Sequence, residues 1–573
     1  MDTRSGSHLV RPPLLSVDDA AAMDPPTVAE LFGRHVSPGQ LRMMELLGTD
    51  RMLIDRAEGV HYVDRAGRRL LDFFGGFGAL ALGHNHPRLL SVRRRFAEEH
   101  RHEIGLAFPS QYATALARNL AVLAPGDLDM VLLCCTGSEA VEAALKLAER
   151  AQGPRRRQVA YAENSFHGKT RGALSVTDSV LYRADFRLVA GDVRVPFGDA
   201  AALDEVLRRD SRIGAVILET VQGGAGIVVP PHGYLRAVRE ICDAHGVLWI
   251  ADEVQCGVGR TGRFFAFEHA GVVPDVVTLA KSLGGGKAAV GAMIARGSLY
   301  RKAYGSRDSA MIHGTATFGG MGEACCTALE TLTVLYDEGL IDNAARQGNY
   351  LLERLRGLQR RHPGLIKEVR GAGLMVGVEF ADVSALLPGG LRRAVGRLDD
   401  PLRGSICLLV GSLLLAEFGV LVAFTEYNRN VIRLEPPLVI GAEHIDQLVD
   451  GLDRLLARGV VRLVRDYLRT VQGWRLWVRG QDRAPERPWP RLNDGYETSC
   501  SARAVELARL HALDPRVHLG AGEEHDAVAR VVVVADGDAA VVQRGGLRTA
   551  LRVTLPNHGA PSSRPRPASE WCS

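Results

Sequence analysis

The segment Val247–Gly262, VLWIADEVQCGVGRTG, begins with an apolar run that is followed by two acidic residues. The run itself, Val247–Ala251, is the length of a strand, and it follows the amphipathic segment Tyr234–His245. The same alternation recurs along the chain. The other apolar runs and one more helical segment are Met130–Cys135, Ala215–Leu218, Val276–Ala280 and Ser138–Arg150. Continuous apolar strands separated by helices indicate an α/β fold with a mostly parallel sheet that is covered on both faces.

Three of these runs are followed by residues with specific chemistry, and ligands bind beyond the carboxyl ends of parallel strands. Asp252 follows one run, and a carboxylate buried there needs a cationic partner. Lys281 follows another, where desolvation would lower its pKa and make it a candidate Schiff-base nucleophile. Thr136–Glu139 follows a third and opens a helix with capping-box spacing, which favours an anion.

Each feature has a plainer interpretation when it is considered alone. Asp252 fits a salt-bridged residue at the sheet rim, Lys281 fits a lysine that reaches solvent, and Thr136 fits an ordinary helix cap. One ligand explains all three together. Pyridoxal phosphate carries an aldehyde for the lysine, a ring nitrogen for the aspartate and a phosphate for the helix start.

A competing motif, Gly257–Gly262, fits the pattern GxGxxG and would indicate a nicotinamide-dependent dehydrogenase. Its context does not fit. Five residues separate it from the preceding strand, and the segment after Gly262 is short, aromatic and interrupted by Pro274. A dinucleotide-binding unit needs a full helix at that point.

Composition excludes several classes of protein. The chain has 573 residues, is 46% hydrophobic and 24% charged, and has a net charge of +4, which gives no reason to expect nucleic acid or a membrane as partner. Its nine cysteines include no CxxC unit, so we predict neither a disulfide framework nor a metal site. The apolar run Ile406–Val422 contains Ser412 and Glu417, and we predict a buried helix followed by a strand. No apolar signal segment follows Met1, so we expect a cytoplasmic protein.

The residues from Trp249 to Gly262, with Pro274-Asp275 and Lys281, resemble the signature of class-III pyridoxal-phosphate aminotransferases. The resemblance covers about residues 50–460, and putrescine and ornithine aminotransferases are the most similar subgroups. Further motifs carry it: Gly83-His84-Asn85-His86-Pro87, Thr136-Gly137-Ser138-Glu139-Ala140, Phe166-His167-Gly168, Thr315-Ala316-Thr317-Phe318-Gly319-Gly320 and Arg433-Leu434-Glu435-Pro436-Pro437.

The resemblance implies roles for these residues. Lys281 would bind the cofactor and shuttle a proton, and Asp252 would keep the pyridine nitrogen protonated. Phe166 and Val254 would enclose the ring, and His167 would support that wall. Gln255 would contact the phenolic oxygen of the cofactor, and Gly137 and Ser138 would bind its phosphate. Thr317 would bind the phosphate of the neighbouring subunit's cofactor in a homodimer. Phe77 would line the substrate pocket, Glu219 would lie near the substrate in a structural or orienting role, and Arg433 would bind a substrate carboxylate.

The resemblance also implies a fold-type I architecture with a large cofactor-binding domain and a smaller α+β domain. We predict a leader at 1–50, small-domain segments at 51–110 and 341–472, and the large domain at 111–340. Residues 473–573 are predicted to be a tail with short strands at Val528–Ala535 and Ala540–Gln543, disordered after Pro561. The glycine-bearing segment 382–404 is predicted to be a surface loop.

We therefore expect a pyridoxal-phosphate aminotransferase that moves an amino group from an amino acid or amine to an aldehyde or ketone. A decarboxylase, racemase or mutase of the same fold, a dehydrogenase and a non-catalytic cofactor-binding protein are the alternatives. Ornithine and putrescine enzymes carry a glutamate where this chain has Gly224. That glutamate pairs with the substrate-binding arginine, so Arg433 is expected to lack its usual partner unless Glu426 replaces it. A glutamate-like donor follows from this expectation.

Overall fold

The computed structural model describes residues 14–105, 107–309, 312–314, 316–382, 406–425, 427–470, 539–544 and 547–552. The chain divides into two units, residues 1–484 and 485–573, which are described separately.

The strands of the first unit form three sheets. In chain order they are β1 Ile54–Glu58, β2 His61–Asp64, β3 Arg69–Asp72, β4 Leu128–Cys134, β5 Gln158–Ala162, β6 Val193–Val195, β7 Ile213–Glu219, β8 Leu248–Asp252, β9 Val276–Leu279, β10 Gly291–Arg296, β11 Ile366–Ala372, β12 Met375–Phe380, β13 Val420–Leu421, β14 Ala423–Phe424 and β15 Val431–Leu434.

The α-helices of this unit lie before, between and after these strands. They are α1 Val17–Ala22, α2 Pro25–His35, α3 Pro38–Leu47, α4 Gly75–Gly78, α5 Pro87–Glu98, α6 Gln111–Leu123, α7 Gly137–Gln152, α8 Arg171–Ser175, α9 Val180–Arg183, α10 Ala200–Arg209, α11 Tyr234–His245, α12 Gly297–Tyr304, α13 Gly322–Asp337, α14 Leu340–Arg361, α15 Ile406–Phe418, α16 Ala442–Leu456 and α17 Val460–Thr470. Short 3-10 turns occur at Ala266–Ala270, Lys281–Gly284 and Arg307–Ser309.

The central sheet has seven strands in the order β4-β10-β9-β8-β7-β5-β6. The pairs from β9 to β6 are parallel, and β10 is antiparallel to both β4 and β9. The predicted mostly parallel α/β sheet is therefore confirmed, with β10 as its one reversed strand. Strand β10 is not among the strands predicted from the sequence.

Alternation along the inner strands shows that both faces of this sheet are covered. Val216 and Leu218 of β7 belong to one apolar cluster, whereas Ala215 and Ile217 belong to another. Helix α7 packs on the second face through residues such as Leu147. Because side chains alternate across a strand, an apolar residue at every position requires helices on both sides.

Two smaller sheets complete the first unit, with orders β1-β2-β3-β13 and β11-β12-β15-β14. Strand β13 pairs in parallel with β3, so segments from near the start and the end of this unit share one sheet. Helix α15 leads directly into β13, as the apolar run Ile406–Val422 predicts. In the part of the chain that the structure describes, no helix combines the length and apolarity that a membrane crossing requires.

The second unit contributes an antiparallel hairpin, β16 Ala539–Arg544 and β17 Leu547–Arg552, and β16 contains the predicted strand Ala540–Gln543. The predicted loop after Asp382, the predicted strand Val528–Ala535 and the segment after Pro561 lie outside the described residues.

Candidate active site

Asp252 ends β8 and is almost fully buried. Its Oδ1 accepts hydrogen bonds from the amide of Val254 at 3.0 Å and from the hydroxyl of Thr278 at 3.1 Å, and its Oδ2 lies 2.7 Å from Nδ1 of His167. A carboxylate has about four acceptor sites, so one more donor can be accommodated at Oδ2. His167 therefore contacts Asp252 directly, which the sequence analysis did not foresee.

Glu253, the next residue, is also buried but is bonded elsewhere. Its oxygens accept from the hydroxyl of Thr220 and from the amides of Ala266 and Phe267. Burial raises the pKa of Glu253 to about 7. Successive strand residues point to opposite faces of a sheet, so only Asp252 of this pair reaches the site. The amides that Glu253 binds belong to a 3-10 turn, and no helix follows Gly262 directly, which removes the structural basis of a dinucleotide-binding motif.

Lys281 lies two residues beyond the end of β9. Its φ of +45° lies in the left-handed region, which residues other than glycine seldom adopt and which is frequent at functional sites. Burial lowers the pKa of its amine, while the charges of Glu435 and Asp252 oppose that effect. The structure thus places Lys281 and Asp252 at the carboxyl ends of two adjacent strands.

The start of α7 forms the third predicted element. The hydroxyl of Thr136 accepts from the amide of Glu139 at 3.2 Å, and the Glu139 carboxylate accepts from the amides of Cys135 and Thr136, so the capping box is confirmed. The first amides of a helix have no partner within it, which leaves those of Gly137 and Ser138 available to an anion.

Two glycines allow close packing around this helix start. A Cβ at position 137 would lie 2.6 Å from Cγ1 of Val254, and one at Gly168 would lie 2.3 Å from Oγ of Ser138. Gly168 also has a φ of +133°. These contacts bring the Phe166–Gly168 segment and Val254 against the phosphate-binding candidate.

These elements enclose one cavity of about 540 Å³. The predicted site residues that line it are Gly137, Ser138, Phe166, His167, Glu219, Asp252, Val254, Gln255 and Lys281. Lys287 also lines it and was not predicted. Residues from five separate chain segments therefore converge as the sequence analysis expects.

Glu219, at the end of β7, organises the wall of this cavity. Its carboxylate accepts from the amide of Phe166 at 2.9 Å and from the amide of Gly223 at 3.0 Å. Burial raises the pKa of Glu219 to about 7. The residue fixes two loops, which agrees with the orienting role expected for it.

Arg433 and Phe77 lie beside the cavity and contact each other. The guanidinium carbon of Arg433 lies 4.6 Å from the centre of the Phe77 ring, and its Nε and Nη2 donate to the carbonyl of Phe424 at 3.1 and 2.8 Å. Phe77 has a φ of +56° and a side chain that is 42% exposed. Arg433 itself is buried.

The expectation that Arg433 lacks an acidic partner is wrong. No carboxylate stands at Gly224, but Oε2 of the fully buried Glu435 lies 3.9 Å from Nη1 of Arg433. The other oxygen of Glu435 accepts from Nε2 of Gln255 at 2.6 Å. Glu435 follows Arg433 at the alternate position and faces the same side, which is the signal that the sequence analysis overlooked. Glu426 lies outside the described residues.

A second buried guanidinium, that of Arg260, also acts on Glu435. Arg260 donates to the carbonyls of Gly78, Leu374 and Pro436, and Glu435 opposes the burial that lowers the pKa of Arg260 to about 10. Asp72 acts on Arg260 in the same direction as Glu435, so two carboxylates and two guanidinium groups lie on this side of the site.

Thr317 does not line the cavity of its own chain. It lies exposed in a turn that continues to Gly320. The other proposed phosphate-binding residues, Gly137 and Ser138, do line the cavity.

The residues of the cavity fit pyridoxal phosphate. The free acceptor site on Asp252 suits a protonated ring nitrogen, the amine of Lys281 suits the aldehyde, and the start of the 16-residue helix α7 suits the phosphate. Gly137 approaches Val254 so closely that a side chain at position 137 would collide with Val254, the residue expected to enclose the ring.

The class-III aminotransferase family matches residues 47–456. The chain belongs to this family. Class-III aminotransferases depend on pyridoxal phosphate and act on small amines and carbonyl compounds, so the protein is a pyridoxal-phosphate aminotransferase of fold type I, as the sequence predicts.

Solved structures of several aminotransferases resemble the chain. An ornithine aminotransferase from Toxoplasma gondii ME49 is 32% identical, with a TM-score of 0.62, over 70% of this chain and 90% of that one. An (S)-enantioselective omega-transaminase from Thermomicrobium roseum is 30% identical, with a TM-score of 0.66, over 77% and 98%. An acetylornithine aminotransferase from Elizabethkingia anophelis is 28% identical, with a TM-score of 0.60, over 76% and 100%.

Proposed function

We propose that this aminotransferase takes its amino group from a donor with a carboxylate, such as glutamate, and transfers it to an aldehyde or ketone. The observation that carries the proposal is the buried guanidinium of Arg433 beside the cofactor cavity, where it contacts the Phe77 ring and the carbonyl of Phe424. A buried guanidinium favours a planar carboxylate that it can bind through two hydrogen bonds.

The roles of the cavity residues follow from their positions. Bound pyridoxal phosphate supplies an electron sink for reactions at the carbon that bears the amino group. The Lys281 amine holds the cofactor and then moves a proton at that carbon, which its lowered pKa favours. Asp252, positioned by His167 and Thr278, binds the ring nitrogen, so His167 is assigned a positioning role rather than that of a wall residue.

The remaining cavity residues bind and orient the cofactor. Phe166 and Val254 enclose its ring, the amides of Gly137 and Ser138 bind its phosphate, and Gln255 reaches its phenolic oxygen from its place beside Glu435. Glu219 keeps the Phe166 and Gly223 loops in place, and Phe77 borders the substrate site.

We propose a homodimer in which Thr317 binds the phosphate in the partner subunit. The exposure of Thr317 and its absence from the lining of its own cavity support this arrangement. A cytoplasmic location is proposed because the cysteines of the described residues are free thiols.

Single-turnover reactions with glutamate and putrescine test the proposed donor. We expect glutamate to react faster in the wild type, and Arg433→Ala to slow glutamate by at least about 30-fold, because loss of a buried charge partner costs ~2 kcal/mol or more. The measurement is the change of the visible cofactor absorption after rapid mixing with each donor.

Glu435→Gln is the matched control for this experiment. It keeps the shape and removes the negative charge beside Arg433, so glutamate should react at least as fast as in the wild type. The proposal is wrong if putrescine reacts faster in the wild type and Arg433→Ala leaves the glutamate rate unaffected.

We further propose that the domain boundaries follow the predicted ranges and that the chain after Gln472 is dispensable for chemistry. A protein truncated at Gly473 keeps α17, whose Leu463, Val464 and Tyr467 are buried, and should retain the wild-type kcat. A second truncation before α17, at Gly459, serves as the comparison and should lower the thermal stability. A Gly473 truncation that folds and binds cofactor but has no activity contradicts this proposal.

A further inference from the structure

A second cavity, of about 820 Å³, lies next to the substrate site and is mostly apolar. Cavities of roughly 300–1,000 Å³ are typical of sites for small organic ligands. Helix α3 contributes Met43, Met44 and Leu47 to its lining, and helix α15 contributes Leu408 and Leu415. None of these residues belongs to the cofactor cavity. We call this space the apolar cavity.

Three residues that line the apolar cavity also contact Arg433 or Gly224. Phe77 lines it and stacks on Arg433, and Phe424 lines it and accepts two hydrogen bonds from Arg433 through its carbonyl. Thr425 also lines it and donates to the carbonyl of Gly224. A molecule that reacts at Lys281 and extends past Arg433 would therefore reach the apolar cavity.

The lining of the apolar cavity indicates the kind of ligand that it would take. Its mainly apolar side chains favour a hydrocarbon. Ser412, on α15, is 2% exposed and lines the apolar cavity, yet its hydroxyl has no hydrogen-bond partner among the described residues. Buried hydroxyls normally have a partner, and since a hydrocarbon cannot supply one, a bound water would serve Ser412 beside the chain.

We propose that the apolar cavity binds the hydrocarbon chain of the carbonyl acceptor, so that the preferred acceptors are medium- or long-chain aliphatic aldehydes or ketones. The inference rests on the proposed function, because it assigns the acceptor of that reaction. A donor with a carboxylate gains its binding energy at Arg433. An acceptor without one needs another source, and the burial of its chain provides it.

Straight-chain aldehydes from butanal to decanal, with a fixed donor, test this inference in the holoenzyme. The expected result is a rise in kcat/KM of about threefold to fourfold for each added methylene, since burial of one contributes ~0.8 kcal/mol. The rise should stop when the chain fills the apolar cavity. A kcat/KM that does not depend on chain length overturns the inference.

Two variants that fill the apolar cavity sharpen the test. Met44 on α3 and Ile54 on β1 both line the apolar cavity. Because Met44 is half-buried and Ile54 is 43% exposed, both positions should accept a tryptophan without loss of the fold. Met44→Trp and Ile54→Trp should reduce the advantage of decanal over butanal by about tenfold or more and leave butanal unaffected. Val122→Trp, at an exposed position on α6, is the control and should retain the wild-type series.

Binding of decan-1-ol to the holoenzyme, measured by calorimetry, separates this inference from the proposed function. The alcohol does not react, so its binding does not depend on turnover. The inference is supported if decan-1-ol binds tightly, butan-1-ol does not, and Met44→Trp weakens the binding of decan-1-ol. This result would support a ligand site in the apolar cavity even if no pair of donor and acceptor is transaminated. Normal transamination with no binding of decan-1-ol overturns the inference and leaves the proposed function in place.

Discussion

Lys281→Ala protein is expected to lose roughly 10²–10⁴-fold in rate from proton transfer alone, since the amine that would move the proton is removed. Burial lowers the pKa of this amine, and its position beyond β9 faces Asp252 across adjacent strands. Steady-state transamination by the purified variant, with the cofactor added in excess, measures the loss. Turnover at the wild-type rate would refute the assignment of Lys281.

Lys287 provides the matched control because it lines the same cavity. Borohydride reduction of the wild-type holoenzyme should attach the cofactor to the peptide that contains Lys281, as seen by mass spectrometry. The same peptide should be labelled in Lys287→Ala protein, and no peptide should be labelled in Lys281→Ala protein. Labelling of Lys287 in the wild type would show that Lys281 is not the lysine that holds the cofactor.

Asp252→Asn is expected to reduce kcat by roughly 10²–10³-fold, the effect of removing one preorganised electrostatic group. A neutral amide cannot stabilise a positive ring nitrogen. Its NH₂ group would also face a hydrogen-bond donor, either His167 or Thr278, in place of the carboxylate oxygen that now accepts from it. Cofactor content, measured by absorption after dialysis, must be compared with kcat. The expected result is a loss in kcat that exceeds the loss of cofactor.

Glu253→Gln distinguishes a specific effect from a general loss of buried charge. Glu253 is adjacent and equally buried, but it binds Thr220 and the amides of Ala266 and Phe267 away from the site. This variant should have a lower melting temperature and a nearly normal kcat. Equal kcat values for the Asp252→Asn variant and the wild-type enzyme would refute the proposed role of Asp252.

The sequence predicted the sheet and the convergence of the site because both depend on local patterns. Apolar runs of strand length locate the ends of β4, β8 and β9. Strands β8 and β9 pair in parallel, and β4 runs in the same direction on the other side of β10, so the three carboxyl ends lie at one edge of the sheet. Lys281, Asp252 and Gly137 could therefore be placed in one cavity without any knowledge of side-chain geometry.

Contacts between distant segments could not be predicted in the same way. The pairing of His167 with Asp252 spans 85 residues, and that of Gln255 with Glu435 spans 180. Such contacts depend on how loops fold over the sheet, which periodicity does not encode. Glu435 is a different case. It lies two residues from Arg433, but only position 224 and Glu426 were considered as sources of a partner for Arg433.

The parallel pairing of β13 with β3 also has a consequence for synthesis on the ribosome. Roughly 350 residues lie between the paired positions Leu71 and Val420, and at a synthesis rate of about 5–20 residues per second they take roughly 20–70 s to appear. During that interval the edge of β3 has no partner, although the central sheet can already form. The nascent chain must therefore keep this edge from pairing with other chains until β13 emerges, and slower translation would extend the period in which it is exposed to aggregation.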